Sequence, residues 1–221
     1  MAGQVRTGDR VWDKPAEKVF PDLEVEIRPI RGKYVSAGGL KLERALDAFQ
    51  ISPEGLNCLD IGASTGGFTH VLLSRNAAGV VALDVGYGLL DWSVRRDKRV
   101  RVIERTNFRL VPDDFFEKPF DLIVIDVSFI SLKVIVPKAV KFLKHDGNLL
   151  ALIKPQFEAR PDQVGEKGLV RDSIVHQEII DHLKNFFTSE GISLLGVKDV
   201  AESDPKKNRE FFSWWKFVIR P

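Results

Sequence analysis

The chain has 221 residues, of which 44% are hydrophobic and 29% are charged. These are the values of a globular protein, and the length allows one large domain or one domain with a small appendage. With 33 basic and 31 acidic residues, the net charge is only +2, so the overall charge does not point to a nucleic-acid partner. The single cysteine, Cys58, excludes a disulfide framework and a cysteine-rich zinc site and favours a reducing compartment.

The sequence also lacks the segments that would place it in or across a membrane. No apolar run approaches the roughly 18 residues of a membrane-spanning helix, and the N-terminus has no signal-peptide core. The four histidines show no metal-ligand spacing. We therefore expect a soluble, cytoplasmic protein with no membrane partner and no metal.

The first 33 residues differ from the rest of the chain. Valines, leucine and isoleucine are scattered among glycines and prolines, which predicts short strands and turns that are too small to form their own core. We expect two parts, an N-terminal segment of residues 1–33 that ends in a linker and a main domain of residues 34–221.

From Tyr34 onward the chain alternates helix and strand patterns. Several strands are apolar without alternation, as expected when helices cover both faces of a sheet. The predicted fold class is therefore α/β, a doubly wound sheet of about seven mostly parallel strands with helices on both faces. The predicted helices are 41–49, 67–75, 88–97, 131–144 and 172–189, and the predicted strands are 56–61, 79–83, 100–103, 121–126, 148–153, 192–199 and 211–219.

The most informative stretch joins the first of these strands to its helix. Asp60 lies near the end of the strand, and a loop of small residues follows, which lets a ligand approach the backbone closely. A second acid, Asp84, ends the next strand, about 20 residues after the glycine turn, where an acid binds a ribose hydroxyl pair. The candidate cofactor-binding residues are Asp60, Gly62, Ala63, Ser64, Thr65, Gly66, Gly67, Phe68, Asp84, Val85, Asn107 and Asp126.

The loop composition indicates which cofactor is bound. The loop is not a P-loop, its glycines lack the spacing of a dinucleotide fingerprint, and it holds no basic residue for a pyrophosphate. S-adenosylmethionine fits better, because its ammonium and sulfonium groups are positive and its ribose offers two hydroxyls. The alternative is a tight strand-to-helix turn that binds no ligand.

Two further residues follow the later strands of the sheet. Asp126 ends the strand at 121–126, and Lys154 follows the strand at 148–153. A partly buried lysine is a possible base, and a neighbouring aspartate would orient it. Taken singly, Lys154 could be a surface lysine and Asp126 a helix N-cap. Together, above a cofactor loop, they favour a functional interpretation.

Several motifs occur in an order that resembles one family. The sequence is similar to the TlyA family of ribosomal RNA 2′-O-methyltransferases, often labelled hemolysins, within the wider FtsJ-like group. That resemblance implies an S-adenosylmethionine-dependent, Rossmann-like methyltransferase domain that acts on ribosomal RNA or ribosomal subunits. It also implies a catalytic set of Lys41, Asp126, Lys154 and Glu210. The motifs are Ser36–Glu43, Asp60–Phe68, Ala82–Gly88, Glu104–Asn107, Asp126–Leu132, Ile153–Glu158 and Asn208–Phe211.

The chain departs from the family pattern at both ends. Residues 1–30 resemble only the last part of the small RNA-binding module with which the family usually begins. Near the C-terminus, the residues before Glu210 replace glycines that are common in the family. Three alternatives remain open at this point: a non-catalytic RNA-binding relative, a hemolysin-type membrane-active protein and an NAD-dependent oxidoreductase. The absence of a spanning helix disfavours the second, and the glycine spacing disfavours the third.

Overall fold

A computed structural model describes residues 5–12, 18–27, 32–200 and 206–217. The start and parts of the N-terminal segment, and the end of the predicted strand 211–219, therefore lie outside the described residues. Within that segment, three short antiparallel strands form a small sheet in the order β2-β1-β3. These strands are β1 (Val5–Thr7), β2 (Arg10–Val11) and β3 (Glu26–Ile27). The division into parts 1–33 and 34–221 stays a prediction.

The rest of the described chain forms one seven-stranded sheet in the order β6-β5-β4-β7-β8-β10-β9. Strands β4 to β8 run parallel, whereas β10 pairs antiparallel with both β8 and β9. The predicted α/β class with about seven mostly parallel strands is confirmed. The strands are β4 (Asn57–Ile61), β5 (Gly79–Leu83), β6 (Val100–Ile103), β7 (Phe120–Ile125), β8 (Leu143–Ile153), β9 (Ile192–Asp199) and β10 (Phe211–Phe217).

Helices cover both faces of this sheet. On one face, α1 and α2 bury Leu42, Leu46 and Leu72 against side chains such as Val124. On the other face, α4 and α6 pack on the opposite side chains of the same strands. The helices are α1 (Gly38–Phe49), α2 (Gly67–Ser74), α3 (Trp92–Arg95), α4 (Leu132–Ala139), α5 (Pro155–Glu158) and α6 (Ser173–Ser189).

Two predicted helices are shorter than expected. The predicted helix 88–97 is reduced to α3, because Gly88 has a left-handed φ of +67° and Asp91 caps the helix by accepting from Ser93 N at 2.9 Å. The predicted helix 131–144 ends as an α-helix at Ala139 and continues as one 3₁₀ turn, after which β8 begins at Leu143. Strand β8 is accordingly five residues longer than the predicted 148–153.

The strand order brings three carboxylate-bearing strand ends together. Strand β4 lies between β5 and β7, with Ile61 opposite both Leu83 and Ile125. The loop that follows β4 passes so close to β7 that a Cβ on Gly62 would lie 2.3 Å from the carbonyl oxygen of Asp126. Gly62 also has a φ of +86°, so this position requires glycine for two reasons.

We predict that Gly62→Ala destabilises the protein by about 3 kcal/mol or more, because a left-handed backbone and an overpacked contact add their costs. Gly88→Ala is the matched control: its φ is +67°, but nothing lies within 4 Å of an added Cβ. It should cost only about 1 kcal/mol. Urea denaturation of both variants measures the difference, and equal losses would contradict the close approach.

Candidate active site

Asp60, Asp84 and Asp126 lie at the C-terminal ends of three adjacent parallel strands. The backbone links them: Gly62 N donates to Leu83 O at 2.9 Å, and Asp126 N donates to Ile61 O at 3.0 Å. Ligands of open α/β sheets bind at this edge of the strands. The three acids, which the sequence predicts at the ends of separate strands, therefore lie at the same edge of the sheet.

Asp60 is fully buried, on the α2 side of β4. Its Oδ2 accepts a hydrogen bond from Thr69 Oγ1 at 2.6 Å, whereas Oδ1 is buried and has no partner among the described residues. Burial raises the pKa of Asp60 to about 7, and the charges of Asp126 and Asp84 act in the same direction. The unpartnered Oδ1 thus remains an available hydrogen-bond acceptor beside the loop.

Asp84 is held by the backbone on both sides of it. Its Oδ2 accepts from Ser64 N and its Oδ1 accepts from Gly86 N, each at 2.7 Å. Ser64 has a left-handed φ of +48°, so the loop bends to bring its amide to the carboxylate. Each oxygen keeps further acceptor capacity, which a pair of hydroxyls can use.

A cavity of about 380 Å³ opens at this edge of the sheet. This volume lies within the usual range for small-molecule and cofactor sites. Its walls come from the ends of β4, β5 and β7 and from the loop after β6. The predicted cofactor-binding residues that line it are Gly62, Ser64, Asp84, Val85, Asn107 and Asp126, joined by others that include Thr106, Phe108, Arg109, Ser128 and Phe129.

The other predicted cofactor residues lie behind the cavity rather than in its lining. Gly67 begins α2 so close to the preceding segment that an added Cβ would lie 2.1 Å from Ser36 Oγ. Phe68 stacks against Phe212 with ring centroids 5.5 Å apart. Thr65 O accepts from Asp91 N at 3.1 Å. These residues shape the loop by packing, as do Ala63 and Gly66, and their contact with a cofactor stays a prediction.

Lys154 and Asp126 form an ion pair at the edge of the cavity. The Nζ atom of Lys154 lies 2.5 Å from Asp126 Oδ1 and donates to Ser128 Oγ at 3.0 Å. The two side chains are 13% and 25% exposed, so this lysine is not a free surface lysine. Nor is Asp126 the N-cap of α4, since Ser131 takes that position.

Lys41 and Glu210 form a second ion pair, with Nζ 2.5 Å from Oε2. The pairing of β10 with β8 places this ion pair beside the pair of Lys154 and Asp126. Phe211 of β10 is opposite Ile153 of β8, so Glu210 continues the pairing opposite Lys154. Residues far apart in sequence thus meet at one end of the sheet, and the four residues that the resemblance implied form two acid–lysine pairs.

Sequence reasoning missed two features of this edge. Phe129 is 89% exposed, has a φ of +62° and lies 5.0 Å from the ring of Phe157. Glu158 is partly buried and accepts hydrogen bonds from Ser131 and Leu132 across two loops. The family motifs contain these residues, but no local sequence pattern indicates that residues 126–132 contact residues 154–158.

Comparison with known proteins decides the family. Residues 34–217 match the model of the FtsJ-like methyltransferases. The 16S/23S rRNA (cytidine-2′-O)-methyltransferase TlyA of Mycobacterium tuberculosis is 42% identical over 214 residues, which are 96% of this chain and 80% of that protein. The chain belongs to the TlyA group of the FtsJ-like methyltransferase family.

Solved structures agree with this membership. A protein of Streptococcus thermophilus labelled a hemolysin has a TM-score of 0.81 and 42% identity, covering all of this chain and 81% of that one. An S-adenosylmethionine-dependent methyltransferase structure from Listeria monocytogenes, at 14% identity and a TM-score of 0.59, covers 81% of this chain and 98% of that one. The second likeness shows the fold alone, and the hemolysin label is a matter of naming.

The residues of this FtsJ-like domain fit a cationic methyl donor. Two carboxylates, Asp84 and Asp126, line the cavity, and the buried Asp60, with its unpartnered Oδ1, lies on the strand between theirs. This concentration of negative charge favours a positively charged ligand over a pyrophosphate. Among the described residues, no cluster of three or more His, Cys, Asp or Glu side chains is arranged to hold a metal ion. Independence from metal stays a prediction.

The raised pKa of Asp60 makes the stability of this FtsJ-like domain depend on pH. Because the folded protein holds the Asp60 proton more tightly than the unfolded chain does, the stability contribution is full below about pH 4 and is lost as the pH rises to about 7. The loss is on the order of a few kcal/mol. Asp60→Asn should remove this part of the decline, measured by urea denaturation of the cofactor-free protein from pH 4 to pH 8. Parallel pH profiles for wild type and variant would contradict the assignment.

Proposed function

We propose that this protein is an S-adenosylmethionine-dependent methyltransferase that methylates a ribose 2′-hydroxyl of ribosomal RNA in the cytoplasm. The observation that carries the proposal is the pairing of Lys154 with Asp126 and of Lys41 with Glu210 beside an acidic cavity. The TlyA relative, whose name states cytidine-2′-O methylation of ribosomal RNA, supports the same substrate class.

The chemistry follows from what these side chains can do. When bound, S-adenosylmethionine supplies a methyl group on a positively charged sulfur. Lys154 Nζ, in its neutral form, would accept the proton of the 2′-hydroxyl while the methyl group passes to that oxygen, and the methyl–sulfur bond would break with its electron pair kept by the sulfur. Asp126 holds the amine of Lys154 in place and stabilises the ammonium that results. Lys41 and Glu210, at the same end of the sheet, orient the ribose. Holding both reactants in line supplies most of the rate gain.

The surroundings of Lys154 suit a nucleotide whose base is flipped out of the RNA base stack. Phe129 presents an exposed ring at the cavity edge and is supported from behind by Phe157. A left-handed backbone is unfavourable for a phenylalanine and is found where the surrounding structure imposes it. Proteins that modify single nucleotides commonly stack the extruded base on such aromatic rings.

The other interpretations make different predictions. None of the helices in the described part of the chain combines the length and apolar content needed to cross a membrane. An oxidoreductase would bind NAD, which the acidic cavity disfavours. A non-catalytic RNA-binding relative would bind ribosomal subunits without transferring a methyl group. Titration of the protein with S-adenosylmethionine, S-adenosylhomocysteine and NAD, followed by a transfer assay on ribosomal subunits, separates these cases.

Lys154→Ala should lower kcat for methyl transfer to ribosomal subunits by about 10²- to 10⁴-fold, the usual contribution of a general base. Cofactor affinity should change little, since the lysine is assigned to the proton and not to the cofactor. Lys141→Ala is the matched control, because Lys141 also pairs with an aspartate, Asp113, at 2.7 Å but lies away from the cavity. A near-normal rate of methyl transfer by Lys154→Ala would contradict the assignment of Lys154 as the general base.

Phe129→Ala should raise KM for the RNA substrate by about 5- to 100-fold, the value of one base–aromatic stacking contact. Phe129→Tyr, which keeps the ring, should stay close to wild type, and because Phe129 also lines the cavity, KM for the RNA is measured at saturating cofactor in both variants. Ile174→Ala serves as a control for loss of an exposed apolar side chain, since Ile174 is 67% exposed on α6. An unchanged KM in Phe129→Ala would show that the ring does not contact the substrate.

A further inference from the structure

Two loops carry the residues of the proposed chemistry. Loop A, residues 126–131, joins β7 to α4, and loop B, residues 154–158, follows β8 and includes the short helix α5. The loops touch at three successive levels. At the first, Lys154 pairs with Asp126, and at the second, the ring of Phe157 lies 5.0 Å from that of Phe129. At the third level, Glu158 of loop B bonds to the end of loop A.

This third contact is a pair of hydrogen bonds to one carboxylate. Glu158 Oε2 accepts from Ser131 Oγ at 2.6 Å, and Oε1 accepts from Leu132 N at 2.7 Å. Burial raises the pKa of Glu158, and both hydrogen bonds oppose that rise by favouring the ionised form. Both oxygens are therefore engaged by donors of loop A and of the first turn of α4.

The geometry of loop A needs such a restraint. Phe129, at its centre, combines a left-handed backbone with an exposed ring, and neither feature is stable without support. Lys154 and Phe157 contact Asp126 and Phe129 in the first half of loop A. The second half continues to Ser131, after which α4 begins. At that end, Ile130 and Leu132 pack on the core, and Glu158 supplies the polar contact that joins loop A to loop B.

We propose that Glu158 is a positioning residue for methyl transfer: by bonding Ser131 and Leu132, it sets the separation of Asp126 and Lys154 and keeps Phe129 against Phe157. This inference rests on the proposed function and assigns to that site a residue that does not itself touch the substrate. The competing interpretation is purely structural, a buried carboxylate that caps α4 and affects only stability.

The experiment compares three variants with wild type at a temperature where all are folded. Glu158→Ala removes both acceptors, whereas Glu158→Gln keeps a carbonyl oxygen for one of the donors. Asp121→Asn is the matched structural control. Asp121 also accepts a backbone N–H across strands, from Asn57 at 2.9 Å, and pairs with Lys144, but it lies at the opposite end of β7.

We expect Glu158→Ala to lower kcat about tenfold to a hundredfold, as displacement of a reacting group does, and to raise KM for the RNA through Phe129. The cofactor Kd should rise as well, because Val127, Ser128 and Phe129 of loop A line the cavity, so kcat is compared at saturating cofactor. Glu158→Gln should recover most of kcat. Asp121→Asn should lose stability and keep kcat.

Three results would overturn the inference. The first is a normal kcat in folded Glu158→Ala. The second is a loss of kcat that is proportional to the loss in free energy of unfolding in both Glu158→Ala and Asp121→Asn, because a purely structural role predicts that result. The third is a wild-type protein that binds cofactor and transfers no methyl group to ribosomal RNA, which would overturn the proposed function and this inference with it. A normal kcat in Glu158→Ala leaves the proposed function intact, so the two failures are distinct.

Discussion

The passage of the β4–α2 loop beneath the end of β7 is the constraint on which the rest of the site depends. Gly62 makes that passage possible, because any side chain there would collide with the carbonyl of Asp126. The close approach sets Asp126 beside the loop and gives the cavity its floor. Burial is the main cause of the raised pKa of Asp60, and the nearby charges of Asp126 and Asp84 add to it.

Charge is arranged in two layers at this edge. The inner layer holds Asp60 and Asp84 beside the β4–α2 loop, while the outer layer holds two lysines, each paired with its own acid. Under the proposed function, a hydroxyl that enters between the pairs would meet Lys154 as its proton acceptor, with Asp126 beside it to stabilise the protonated amine.

Much of this could be predicted from the sequence, for identifiable reasons. Apolar strands without alternation gave the parallel sheet, and the acids that end them gave the positions of Asp84 and Asp126. The extent of α3 was wrong because Gly88 and Asp91 prevent an earlier helix start. Glu158 was missed because its partners are 26 and 27 residues away, and such contacts leave no periodic signal. Resemblance alone supplied Lys41 and Glu210.

The position of Glu210 shows why local patterns could not supply it. Strand β10 runs antiparallel between β8 and β9, so its start, not its end, lies at the edge of the sheet where the parallel strands end. Just before it, Asn208 accepts from Val170 N and donates to Gly168 O, both at 2.8 Å, which fixes the approach of the chain. Lys41 lies in the first helix of the domain, and Glu210 immediately precedes its last strand. The second ion pair therefore forms only when both ends of the domain have folded onto the sheet, which ties completion of the site to completion of the fold.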